Sequence, residues 1–410
     1  MLNQREQDRF IAWAREHALM LPSLAPNDDI TDLLAPICTG KRFAFLGEAD
    51  HFIAEKVPAR LMILNSLAAL GFKTFAEELS RSEGRRVARY LSTGYEDWLE
   101  RLTTLGYQGN SHTDRDDSPT GILKDSFARG VDPGFRATQL GFYRGLQAFT
   151  DIEFAGFDVD YSPGAGYEDV RTLLIAEGAN ELTTALAAVP GETLEQEIVR
   201  LEGLHRQLTT STLSAETLAQ LEPILKTLID GYRYIALAHP ASDYASLAPA
   251  MAFRETVMHR HVTEIEAHSD SCIVLMAHDL HLARNDFQIY SPEGVGPGGD
   301  TARSTGHFVN EHWPEQVTSI WMLHEFGQDS QPLPGLPCEL QASKDSLNAL
   351  LGQVGECFLL PVSSEAPEAD PLRQEMPIYH LYNIHFRARI AEQVDFILFI
   401  REVSALKDNI

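Results

Sequence analysis

Two short stretches of this chain hold side chains whose types and spacing suit acid–base chemistry. In Phe43-Ala-Phe-Leu-Gly-Glu-Ala-Asp-His51 an apolar run gives way at Gly47, which frees the backbone to turn, and Glu48, Asp50 and His51 follow. In Ile273-Val-Leu-Met-Ala-His278-Asp-Leu-His281 the pattern recurs and ends in two histidines three residues apart. A neutral imidazole, with a pKa of about 6.5, can take a proton from water at neutral pH. A carboxylate on its other nitrogen fixes which nitrogen is basic. Acidic residues follow two more apolar runs: Glu77 and Glu78 after Phe75-Ala76, and Asp158 and Asp160 after Phe154-Ala-Gly-Phe157. Each piece alone has an ordinary reading, since a lone histidine at a strand end is more often structural and acids after a strand are commonly solvated. Their shared placement, directly after apolar runs, is what points to one site. Arg60 lies nine residues beyond His51, roughly two and a half helical turns away. It returns to His51 only if its helix crosses obliquely, and otherwise faces solvent.

The elements that must position these groups read as an α/β architecture. Short β-like runs occur at Arg42–Leu46, Lys73–Ala76, Glu153–Phe157, Cys272–Met276, Thr318–Leu323, Cys357–Pro361 and Phe396–Ile400. Most are apolar at consecutive positions, as strands covered on both faces require. Between the first two, Glu55–Leu70 has a helical pattern followed by Gly71 as a C-terminal cap. This strand–helix–strand unit predicts a parallel pair. In open parallel sheets ligands bind at the C-terminal strand ends, where both histidine segments emerge. From about Gly166 to His268 strand signals vanish and long helical patterns appear, such as Leu194–Thr209 and Ala215–Ala238. The expectation is a central, mostly parallel sheet with helices on both faces. Residues 1–165 and 269–410 form that core, and 166–268 form an inserted helical lobe. Tyr107–Asp117, Ser291–Ser304 and Ser363–Pro377 read as loops, the first two as candidate lids.

Composition narrows the function. With 59 acidic against 33 basic residues the net charge is −26, which repels nucleic acid, whose binding depends on cationic side chains. A small-molecule substrate is expected instead, and oligomeric state is left open. The four cysteines form no C-x-x-C pair, so neither a zinc knuckle nor a redox dithiol is indicated; Cys272 and Cys357 read as small core hydrophobes. There is no apolar run of the ~18 residues needed to cross a bilayer and no signal-like N-terminus, so a cytoplasmic, membrane-free protein is expected. The phosphate-loop pattern G-x-x-x-x-G-K-[ST] and the serine-esterase elbow Gly-x-Ser-x-Gly are both absent from the sequence.

Five segments, taken in order, resemble the erythromycin esterase family. They are Gly47-Glu48-Ala-Asp-His51 with Glu55, Arg60, Gly71-Phe72 and Glu78; Phe142-Tyr-Arg144 with Phe154-Ala-Gly-Phe-Asp158; Phe253-Arg254-Glu255-Thr-Val-Met258; Ala277-His278-Asp-Leu-His281; and Thr305-Gly306-His307. The resemblance implies an α/β fold with a helical insertion and a hydrolase that opens macrolide lactones without a serine nucleophile, a required metal or a cofactor. It implies His51 as general base, with Glu48, Arg60, Glu78, His278 and His281 completing the catalytic site. Asp50, Glu55, Arg144, Asp158, Arg254 and His307 would lie along the substrate. Asp50 and Asp279 stand where the family usually has Ser or Thr and Asn, and each adds negative charge beside the presumed base.

In the resulting scheme His51 deprotonates water, Glu48 or Glu78 holds its other nitrogen, and Arg60 with His278 or His281 donates to the developing oxyanion. Three other readings are open. A zinc ion could sit among His51, His278, His281 and a carboxylate; a biosynthetic enzyme could use the same pocket for elimination, cyclisation or group transfer; or the pocket could bind without catalysis. His324-Glu325, which ends another apolar run, is a further candidate for the cavity lining.

Overall fold

The computed structural model describes residues 2–100, 102–103, 106–107, 133–160, 164–187, 189, 192–238, 244–290, 301–330, 338–362, 365–380 and 385–406. Nearly all of the first loop (108–117), most of the second (291–300), and residues 363–364 of the third lie outside these.

Among the described residues the main sheet has nine strands, and every β-like run of the sequence is one of them. They are β1 (Leu19–Met20), β2 (Phe43–Glu48), β3 (Phe72–Ser80), β4 (Glu153–Asp158), β5 (Cys272–His278), β6 (Val317–Gln328), β7 (Glu339–Gln341), β8 (Cys357–Pro361) and β9 (Phe396–Val403). The spatial order is β1-β8-β9-β6-β2-β5-β3-β4, with β7 pairing β6. The β9–β6, β6–β2 and β2–β5 pairs are parallel, and β1–β8, β8–β9 and β6–β7 are antiparallel. The fold is thus α/β with a mixed, mostly parallel sheet. One sequence expectation needs correction. β2 and β3 are not neighbours, because β5 lies between them. The helix joining β2 to β3, Lys56–Ala69, therefore spans two strand spacings, and Gly71 ends it at φ +98°, where glycine has no Cβ penalty.

The chain forms two compact units. One comprises Met1–Ala76, Asp132–Glu153 and Val262–Ile410; the other comprises Glu77–Val131 and Phe154–His261. In the first unit, β2 and β5 are apolar and buried almost throughout, and β6 is buried from Val317 to His324, which is why their sequences do not alternate. The second unit has a helical core in which Leu201, Leu204, Leu221, Leu225 and Leu228 pack with Tyr167 and Tyr232. Its Leu194–Leu208 helix starts with a capping box, Thr193 and Gln196 each bonding the other's backbone N–H. Among the described residues no helix is long and apolar enough to cross a membrane. Cys272 and Cys357 are only half-buried, at the first positions of β5 and β8, and it is Cys38 that lies in the core.

Candidate active site

Register brings the two histidine segments together. Glu48, the last residue of β2, is the Cα partner of His278, the last residue of β5. Three residues further on, the His51 ring packs edge-on against that of His278, with centroids 5.1 Å apart. Gly47 serves a different purpose from the one its position suggests. It lies inside β2, and a Cβ there would stand 2.7 Å from Trp321 Cδ1 and 3.0 Å from Asp279 Cβ, so close packing excludes a side chain.

Glu48 is the hub of the cluster. Its side chain is 2% exposed, a costly position for a charge without partners. Two cations and an imidazole surround it: Arg60 Nη2 lies 2.7 Å from Oε2, and His51 Nδ1 and Lys56 Nζ lie 2.6 and 3.3 Å from Oε1. Burial alone would push its carboxyl up, but Arg60, then Lys56 and His51, outweigh this and hold it at about 2. Ionised Glu48 can only accept, so His51 donates from Nδ1 and its Nε2 is the basic nitrogen. Arg60 does cross back to the site and is buried with Glu48, not facing solvent.

The two acids at non-family positions behave differently from simple added charges. Asp50 is fully buried; burial, then the Asp329 carboxylate, push it well above the usual carboxylate range, while Phe52 N–H donates to its Oδ1 at 2.7 Å. Asp279, also fully buried, sits between two imidazoles, with His278 Nδ1 3.0 Å from Oδ1 and His380 Nδ1 2.7 Å from Oδ2. Burial would raise its carboxyl, but His380 and then His278 overcome that and lower it. His380 carries no motif in the sequence and reads there as an ordinary surface or core histidine; only the fold carries it to Asp279.

The remaining sequence candidates fall in several places. His281 is buried on the 3-10 turn Asp279–Leu282. Glu55 accepts from Ser404 N–H at 2.9 Å, alongside an Ala54–Ser404 backbone bond and an Ile53–Ala405 bridge. Arg144 is exposed on the Pro133–Leu146 helix, and His307 Nδ1 lies 3.2 Å from Asp286. In the second unit Arg254 grips Asp158 bidentately, at 2.9 Å from Nε and 2.5 Å from Nη2, and reaches Glu78 at 2.6 Å.

Donor atoms of His278, Asp279 and His380 lie within 4.8 Å of one another, near enough to share an ion. The fit is poor, since His278 Nδ1, the nitrogen beside Asp279, already accepts Leu280 N–H at 3.1 Å, and an ion needs that lone pair. The alternative set built on His51 would have to use the nitrogen not given to Glu48.

His324 lies in the core at the end of the apolar run of β6, and its backbone carbonyl accepts from Asn348 Nδ2. Burial, then His380, hold its imidazole at about 3 despite Asp279. The unfolded chain therefore binds a proton near the ordinary pKa of about 6.5 that the folded chain refuses, and stability falls as pH drops from there toward 3, by up to about 1.4 kcal/mol per pH unit. Asp50 acts oppositely, keeping when folded a proton the unfolded chain releases. Urea unfolding at pH 7 and pH 5 should show a smaller loss for His324→Gln than for the native chain. Equal losses would remove His324 as the cause.

The model of the family described as Erythromycin esterase matches residues 67–403. The chain belongs to the erythromycin esterase family. That match includes Glu78, His278, His281 and His380 but begins after Glu48–Arg60, so the His51 segment of this erythromycin esterase family member is placed by geometry. The fold is shared with solved structures of low identity. A Bacillus cereus protein is 15% identical with a TM-score of 0.70, covering 99% of each chain. A succinoglycan biosynthesis protein is 18% identical at TM-score 0.69, over 99% of this chain and 100% of its own. The erythromycin esterase EreC, as a mutant in its open conformation, is 16% identical at 0.65, over 94% and 97%. No curated protein matches the chain.

Proposed function

We propose that this protein hydrolyses a carboxylic ester or lactone with water activated by His51, using no serine nucleophile and requiring no metal. The supporting observation is the 2.6 Å Glu48–His51 hydrogen bond, with Glu48 itself pinned by Arg60 and Lys56. This is the arrangement of a base and its orienting acid. The His51 side chain is 25% exposed whereas Glu48 and His278 are buried, so of these three His51 is the one that solvent reaches. Water oxygen bonds to the carbonyl carbon as His51 Nε2 takes its proton, and the carbon–oxygen bond to the leaving alcohol then breaks with that proton passing to the alkoxide. His278 donates to the carbonyl oxygen as charge builds there. Arg60 acts on Glu48 in this scheme and not on the oxyanion. Family membership supports a hydrolase, and the solved erythromycin esterase makes a macrolide lactone the first substrate class to try.

The relative named for succinoglycan biosynthesis supports a second reading, acyl transfer to a sugar hydroxyl by the same base. Incubation with a macrolide in water enriched in heavy oxygen separates the two. Hydrolysis adds one water molecule to the mass and puts the label in the new carboxylate. Product without label, appearing only when a sugar acceptor is present, would favour transfer and remove hydrolysis.

A further inference from the structure

His278 Nδ1 has two neighbours that favour opposite states of it. Leu280 N–H points at it from 3.1 Å, capping the 3-10 turn, and requires a lone pair on that nitrogen. Asp279 Oδ1 stands 3.0 Å from the same atom, too poorly aligned for a hydrogen bond, but its negative charge favours a proton there. An imidazole cannot satisfy both. The choice sets what His278 offers, because a proton on Nδ1 leaves Nε2 an acceptor, and a lone pair on Nδ1 makes Nε2 the donor.

We propose that His380 is a positioning residue that settles this competition: by engaging Asp279 it leaves Leu280 as the partner of His278 Nδ1, so that His278 presents an Nε2–H donor next to His51. His380 is well placed for this. Its Nδ1 lies 2.7 Å from Asp279 Oδ2, and the ring is fully buried, 3.8 Å from Phe386 and 6.1 Å from Trp321 between centroids. A ring packed in this way cannot swing off the carboxylate. His278 and His51 then hold complementary tautomers, one with a basic and one with a donating Nε2. Charged or titratable groups around His278 include Asp279, His380, His51 and, across the strand pair, Glu48.

This rests on the hydrolase reading for its catalytic meaning, but nitrogen NMR of the histidine rings tests it without any substrate. In the native chain at neutral pH His278 should show its proton on Nε2. His380→Phe should move it to Nδ1 and lower kcat about tenfold or more with KM little changed, the mark of a lost transition-state donor. Adding Asp279→Leu to His380→Phe removes the competing acceptor, leaves no buried charge unpaired, and should restore the Nε2–H form. A native His278 protonated on Nδ1 overturns the proposal whether or not the variants fold. So does a His380→Phe protein whose kcat falls with the tautomer unchanged. If no variant or native protein hydrolyses an ester, the hydrolase reading fails while the NMR result still decides the role of His380.

Discussion

His51→Asn is expected to lower turnover by about 10²–10⁴-fold, the usual worth of a positioned general base, with the protein still folded. Asn can fill much of the space and keep a hydrogen bond to Glu48, but it has no basic nitrogen to receive a proton from water. The His51 side chain is a quarter exposed, so little packing is lost with it. Glu48→Gln should produce a loss of the same order by another route. The amide can donate to His51 Nδ1, which moves the ring proton to Nε2 and abolishes the base without removing the ring. Steady-state kinetics on both variants, with thermal unfolding as the control for folding, make the comparison. Near-native turnover in folded His51→Asn would discard His51 as the base.

Arg60→Met should be the variant that unfolds most easily. Arg60 is 3% exposed and its guanidinium lies 2.7 Å from the buried Glu48 carboxylate. Methionine keeps most of the volume but leaves a buried negative charge with Lys56 and His51 as its remaining partners. Removing one member of such a pair costs about 3–5 kcal/mol. Replacing both members, as in Arg60→Met with Glu48→Leu, should recover much of that stability while leaving the protein inactive. Chemical denaturation of the two variants beside the native chain checks both parts. A single Arg60→Met as stable as the native protein would mean that Lys56 alone neutralises Glu48.

The sheet could be read from the sequence because its strands are buried on both faces, and long apolar runs such as Cys272–Met276 and Phe396–Ile400 have few other uses in a chain of this kind. Strand order could not be read: β5 comes between β2 and β3 although some two hundred residues separate it from either, and nothing local marks so distant a pairing. The meeting of Glu48 with His278 followed from parallel strands ending at one edge, and the register of β2 on β5 makes them direct partners. Arg60 was ambiguous because helical spacing gives an angle along the helix but not the tilt of the helix across the sheet. His380 was invisible, having no periodicity or neighbouring polar residue to signal it. The behaviour of Asp50 and Asp279 was also beyond sequence, since burial and then Asp329 push the carboxyl of one up while the other lies between imidazoles.

The hold of Ser404 on the segment just after His51 has a consequence for the order of assembly. Ala54 N–H donates to Ser404 O at 2.8 Å, Ser404 N–H donates to Glu55, and Ile53 bridges Ala405. The loop that bears His51 is synthesised some three hundred and fifty residues before its anchors. A ribosome-bound chain can form the β2–β5 pair while this loop is still unmoored, so the segment after His51 is fixed only once Ser404 and Ala405 have emerged to hold it.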